Sequence, residues 1–135
     1  MDYDLAKQIR FYSGHEVKDT MNIAERIVHN EKFSHWVLYS TYIYAGIILC
    51  IAYKKIEAQK MPIVTVSEMR EKLSLSAEEL KEYFLTVSMT LFPKTVYENS
   101  QKYLTDFLKT RPKEGESCVE TARECFEDFF SQLEK

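Results

Sequence analysis

The sequence predicts an all-α fold: a five-helix unit built around a central apolar helix, followed by two C-terminal helices. Three observations predict it. The 135 residues hold only three glycines and three prolines, too few breakers for the many turns of a β-sandwich. Apolar residues recur at spacings of three and four, the period of a helix with one buried face. One run, Trp36–Tyr53 (WVLYSTYIYAGIILCIAY), is uncharged throughout, as a helix packed on every side requires. The length fits one domain of ordinary size. With 45% hydrophobic and 29% charged residues, the composition is that of a globular chain, not a disordered one.

The elements follow in order. Asp4–Tyr12 is expected to form a short helix stopped by Ser13-Gly14. His15–Asn30 repeats Val17, Met21, Ala24 and Ile27-Val28 on one face, an amphipathic helix of about four turns. The central helix then runs from Trp36 through Lys54, Lys55 and Glu57 to near Gln59, where Pro62 breaks the pattern. A short helix spans Glu68–Leu73 with Ser67 as N-cap. Ser76 and Glu79 form a capping box that opens a helix to about Phe92, with Leu80, Phe84, Val87 and Leu91 along its buried side. Beyond Pro93, Thr95–Lys109 is helical, and Arg111–Ser117 (RPKEGES) reads as a mobile polar link. Ser117 with Glu120 is a second capping box, opening a last helix to about Leu133. Residues 4–92 are the five-helix unit. Residues 93–135 are a helical pair, either the start of a second repeat or a cap docked on the first unit, with docking preferred.

The uncharged run reaches the lower limit for a membrane span. Its tyrosines, at 39, 42, 44 and 53, are spread along it and not gathered at its ends as an aromatic belt would be. A core helix is therefore expected, and a small membrane-anchored helical protein is the other reading. Cys50, Cys118 and Cys125 show no CxxC spacing, and an odd count fits free thiols in a reducing, intracellular compartment, nucleus or cytoplasm. The first residues, MDYDLAKQIR, carry no apolar signal region. The net charge of −3 provides no global pull toward nucleic acid. His15, His29 and His35 have no metal-ligand spacing. No glycine-rich phosphate loop or nucleophile elbow is present. A non-enzyme without metal or cofactor is expected.

The run Ala45-Gly46-Ile47-Ile48-Leu49-Cys50-Ile51-Ala52-Tyr53-Lys54 resembles the third helix of the cyclin box and of the related repeat of transcription factor IIB. Pro62 with Thr65-Val66-Ser67-Glu68-Met69 is similar to that family's lead-in to its fourth helix, and Ser76–Leu91 stands where the fifth belongs. The resemblance implies a regulatory or scaffold module of the cell cycle or transcription. Such a module binds a protein partner, a kinase or a transcription or replication complex subunit, in the groove beside the third and fifth helices. In kinase-activating cyclins, a lysine of the third helix and a glutamate of the fifth grip the kinase. Lys54 matches the lysine. Counting from Pro62 brings Phe84 to the glutamate position, and only a two-residue gap would bring Glu82 there, a departure that weighs against kinase activation. The implied partner surface is Lys54, Lys55, Glu82 and Phe84, with Phe84 either an exposed anchor or a core residue. In the factor IIB-like alternative, or one resembling the smallest origin-recognition subunit, Lys54, Lys55, Lys60, Arg70 and Lys72 would meet nucleic-acid phosphates. A solvated helix end is the plainer meaning of those charges.

Overall fold

The computed structural model describes residues 4–28, 35–98 and 107–133. Its long helices are α1 (Glu16–Ile27), α2 (His35–Glu57), α3 (Val66–Leu73), α4 (Ala77–Leu91) and α5 (Pro112–Leu133), and there is no strand among the described residues. Residues 94–98 are also helical, and Phe107–Lys109 forms one 3-10 turn. Of the expected helix Thr95–Lys109, residues 95–98 are helical and 107–109 form the 3-10 turn, while residues 99–106, with Tyr103 and Leu104, lie outside the described residues.

α2 is the centre of the molecule. Every residue from Ser40 to Tyr53 is buried, because α1, α3, α4 and α5 all pack against it. That enclosure explains why its sequence shows no polar face. Among the described residues, no helix is long and apolar enough to cross a membrane. Ile43, Ile47, Ile48 and Leu49 of α2 share one core with Ile23 of α1, Met69 of α3, Leu80 of α4 and Phe126 of α5.

α5 packs on α2 and also touches α1, α3 and α4. The Tyr44 hydroxyl of α2 donates to the Ala122 carbonyl of α5, and Cys118, Val119, Ala122, Phe126 and Phe130 form the buried stripe of α5. α5 also closes the start of α4, where Glu116 accepts from the Ala77 N–H at 2.7 Å. Arg123 reaches the Leu73 carbonyl at the end of α3 at 2.8 Å.

Four expectations are corrected. Asp4–Tyr12 is a series of turns, not a helix. Its polar groups pair with a distant segment: Leu5 N–H donates to the Val64 carbonyl at 2.8 Å, and Asp4 accepts from Val64 N–H at 3.1 Å. The N-cap of α3 is Thr65, not Ser67. Its side chain accepts from Glu68 N–H, and Glu68 accepts from Thr65 N–H at 3.1 Å, a reciprocal box that starts the helix at Val66. Arg111–Ser117 is not a link, since α5 begins at Pro112, where a missing N–H and a fixed φ suit a first helical position. Within that turn Gly115 is buried. A Cβ there would stand 3.1 Å from both Ala77 Cβ and Thr110 Oγ1, so this glycine serves a close helix approach and breaks nothing. Ser117 consequently lies inside α5 and opens no helix. The Ser76–Glu79 capping box is present as expected.

Candidate functional site

The last turns of α2 emerge from the core with Ile51, Lys54, Lys55 and Ala58 at helical spacings of three and four, hence on one face. Glu68, Glu71 and Lys72 share a face of α3 by the same rule. Together with Lys60, just beyond α2, and Tyr83 of α4, these residues line a cleft of about 280 Å³.

Its charges are not equivalent. Lys55 is committed: its Nζ donates to the Ile63 carbonyl and pairs with Glu68 Oε1 at 2.7 Å. Burial pushes the Glu68 carboxyl up, but hydrogen bonds from Lys55 and Thr65 outweigh it and hold the group below its ordinary range. Lys72 Nζ sits 4.3 Å from the centroid of the Tyr83 ring, a cation–π contact. Burial, reinforced by Cys50, Glu68 and Glu71, raises the Tyr83 phenol, which stays protonated. Lys54 and Lys60 are exposed and carry their charge toward open solvent at the cleft mouth.

The structure therefore brings Lys54, Lys55, Lys60 and Lys72 together and separates the other expected residues from them. Arg70 points to α5, where it pairs with Glu127 at 2.7 Å. Glu82 is exposed on α4 but does not line the cleft. Phe84 is only 2% exposed and packs edge-on against Phe107, ring centroids 6.1 Å apart. Of the two readings its sequence position allowed, Phe84 is the core residue and not part of the partner surface: the helical turn that aims Leu80 and Val87 inward aims Phe84 inward too. Tyr83, one position earlier, is the aromatic residue that reaches the cleft. Glu68, four residues before Lys72 on α3, could have been found from helical spacing, whereas Tyr83 comes from a different helix and carries no such signal.

A second polar constellation went unread in the sequence. Glu16 is buried to 1% exposure. Its Oε2 accepts from the Tyr53 hydroxyl at 2.8 Å and from Tyr12 N–H at 3.0 Å, while Oε1 has no hydrogen-bond partner. Burial raises this carboxyl, but the Tyr53 and backbone hydrogen bonds bring it below its ordinary value. The signal was there: Glu16 stands on the face of α1 that carries Thr20, Ile23, Ala24 and Ile27, all buried.

Among the described residues, no group of three His, Cys, Asp or Glu side chains is placed to hold a metal ion. His15 is exposed, and His29 lies outside the described residues. Cys50, Cys118 and Cys125 are buried and form no disulfide. Compared with protein-family models, with curated proteins and with solved structures, the chain matches none.

Proposed function

We propose that this chain is a cyclin-fold interaction module, a non-catalytic regulatory or scaffold subunit working inside the cell, in nucleus or cytoplasm. It holds a protein partner, a kinase or a subunit of a transcription or replication complex, at the cleft beside the C-terminal end of α2. The observation that carries this reading is Lys54. It follows directly on the enclosed stretch of α2, residues 40–53, it is exposed, and it borders a concave surface. A nucleic-acid scaffold draws less support, because two of its five cations, Lys55 and Arg70, are committed to Glu68 and Glu127.

Lys54→Glu tests the reading. Surface substitutions of this kind cost within about 0.5 kcal/mol of stability, so the melting temperature is expected to hold. Affinity for the partner captured by the wild-type chain is expected to fall about tenfold or more, roughly 1.4 kcal/mol, by calorimetric titration. Unfolding of the variant, or unchanged binding, refutes the groove.

A further inference from the structure

We infer that the cleft between α2, α3 and α4 is a receptor for one phosphoryl group carried on a side chain of the partner protein. Charge matching is the first support. Four lysines, Lys54, Lys55, Lys60 and Lys72, face two glutamates, Glu68 and Glu71, around the cleft. The surplus of two positive charges sits on a chain whose net charge is −3. A phosphorylated side chain carries about −1.5 to −2 at neutral pH and neutralises that surplus, whereas a carboxylate would leave half of it uncompensated.

Donor geometry is the second support. Lys55 is occupied by Glu68 and the Ile63 carbonyl, which fixes one wall. The side chains of Lys54, Lys60 and Lys72 come from three separate segments and make no hydrogen bond or ion pair among the described residues, the Lys72 ammonium resting on the Tyr83 ring. Tyr83 adds a phenol held in its protonated, donating form. Donors arriving from several directions suit the three oxygens of a phosphoryl group better than the two of a carboxylate. Size is the third. About 280 Å³ stands at the lower edge of the roughly 300–1,000 Å³ of pockets that enclose small molecules, which is room for one modified side chain. Concave walls also focus the lysine field on the space between them.

The identity of the ligand as a protein rests on the function proposed above, but the phosphoryl chemistry is measurable without the partner. The isotope-labelled full chain is titrated by NMR with the capped pentapeptide Ala-Ala-phosphoserine-Ala-Ala. Parallel titrations use its unphosphorylated and Glu-substituted versions, inorganic phosphate and a short DNA duplex. The phosphopeptide is expected to produce saturable shifts at Lys54, Lys60, Lys72 and Tyr83. The Glu peptide should bind at least tenfold more weakly, and Lys54→Gln with Lys72→Gln should weaken the phosphopeptide at least tenfold. If that double variant loses its helical circular dichroism, Lys54→Gln alone, at an exposed position, carries the comparison.

No saturable response at these residues overturns the inference, as does an equal response to the Glu peptide. Inorganic phosphate binding as tightly as the phosphopeptide makes this a free-anion site, and tighter binding of the DNA duplex makes it a nucleic-acid surface; either result also overturns the inference. A failed titration with wild-type partner capture intact removes the phosphoryl receptor alone. Partner capture indifferent to Lys54→Glu removes the interaction groove instead.

Discussion

Tyr53→Phe removes one oxygen from the interior and should destabilise the fold out of proportion to its size. The ring itself has nowhere else to go. It lies edge-on to Phe11 at 5.6 Å and tilted against Phe92 at 5.2 Å, so phenylalanine inherits its position. What disappears is the hydroxyl that donates to Glu16 Oε2 at 2.8 Å. The carboxylate is then left with backbone donors alone, the Tyr12 N–H on Oε2 among them, and Oε1 has no partner already. A hydrogen bond to a charged group contributes about 1.5–3 kcal/mol, which for a chain of this length is a fall in melting temperature of about 5–15 °C. The pH dependence adds a sharper check. Hydrogen bonds hold Glu16 below its ordinary value of 4.5, so its contribution is present above that value and is lost as pH falls through the depressed folded value. The gap between wild type and variant should therefore be full at pH 7 and narrower near about pH 3.5. Urea denaturation followed by circular dichroism at both pH values measures it. A difference under about 0.5 kcal/mol at pH 7, or one that does not change on acidification, refutes the assignment of a buried, hydrogen-bonded carboxylate.

Three further outcomes are expected. Gly46→Leu, in the enclosed stretch of α2, should overpack the core and cost about 1–3 kcal/mol in chemical denaturation; an unchanged midpoint would mean that α2 is not enclosed there. Thr65→Ala removes the hydroxyl that accepts from Glu68 N–H at 3.2 Å and should cost about 1 kcal/mol, whereas Ser67→Ala should be near neutral; the reverse order would restore Ser67 as the cap. Burial pushes the Cys118 thiol up to about 11 and raises Cys50 still further. Since the thiolate is the reactive species, Cys50 and Cys118 should resist a disulfide reagent at pH 8 until denaturant is added; rapid labelling of either in the folded chain would place that thiol at the surface.

The helices that could be read from the sequence were those whose signals are local. α2 was visible because full enclosure demands an unbroken apolar run, and α4 because Ser76 and Glu79 complete a capping box three residues apart. The failures share a cause, which is that distant residues overrule local preference. Residues 4–12 have helix-forming side chains, yet Asp4 and Leu5 bond to Val64, and the segment follows that partner. Gly115 reads as a breaker until Ala77 is placed beside it. Thr65 and Ser67 are both competent caps, and only the geometry of Glu68 separates them. The lysines of the cleft were legible as a group, because the ends of α2 and α3 concentrate them in sequence. The commitments of Lys55 and Arg70 were not, since each depends on a carboxylate from another element.

The bond from Tyr44 to Ala122 joins positions 78 apart in the chain, and this has a bearing on how the protein is made. A ribosome releases the central helix well before the helix that covers one of its sides, and chains are synthesised at about 5–20 residues per second. For several seconds α2 exists with its α5-facing side, Tyr44 included, open to water and to other nascent chains. Contacts of such long sequence separation also slow the closing step itself. α2 is therefore covered late, by α5, and the interval before that is when its apolar surface is most prone to aggregate. Shortening the chain within residues 118–130 would make that interval permanent.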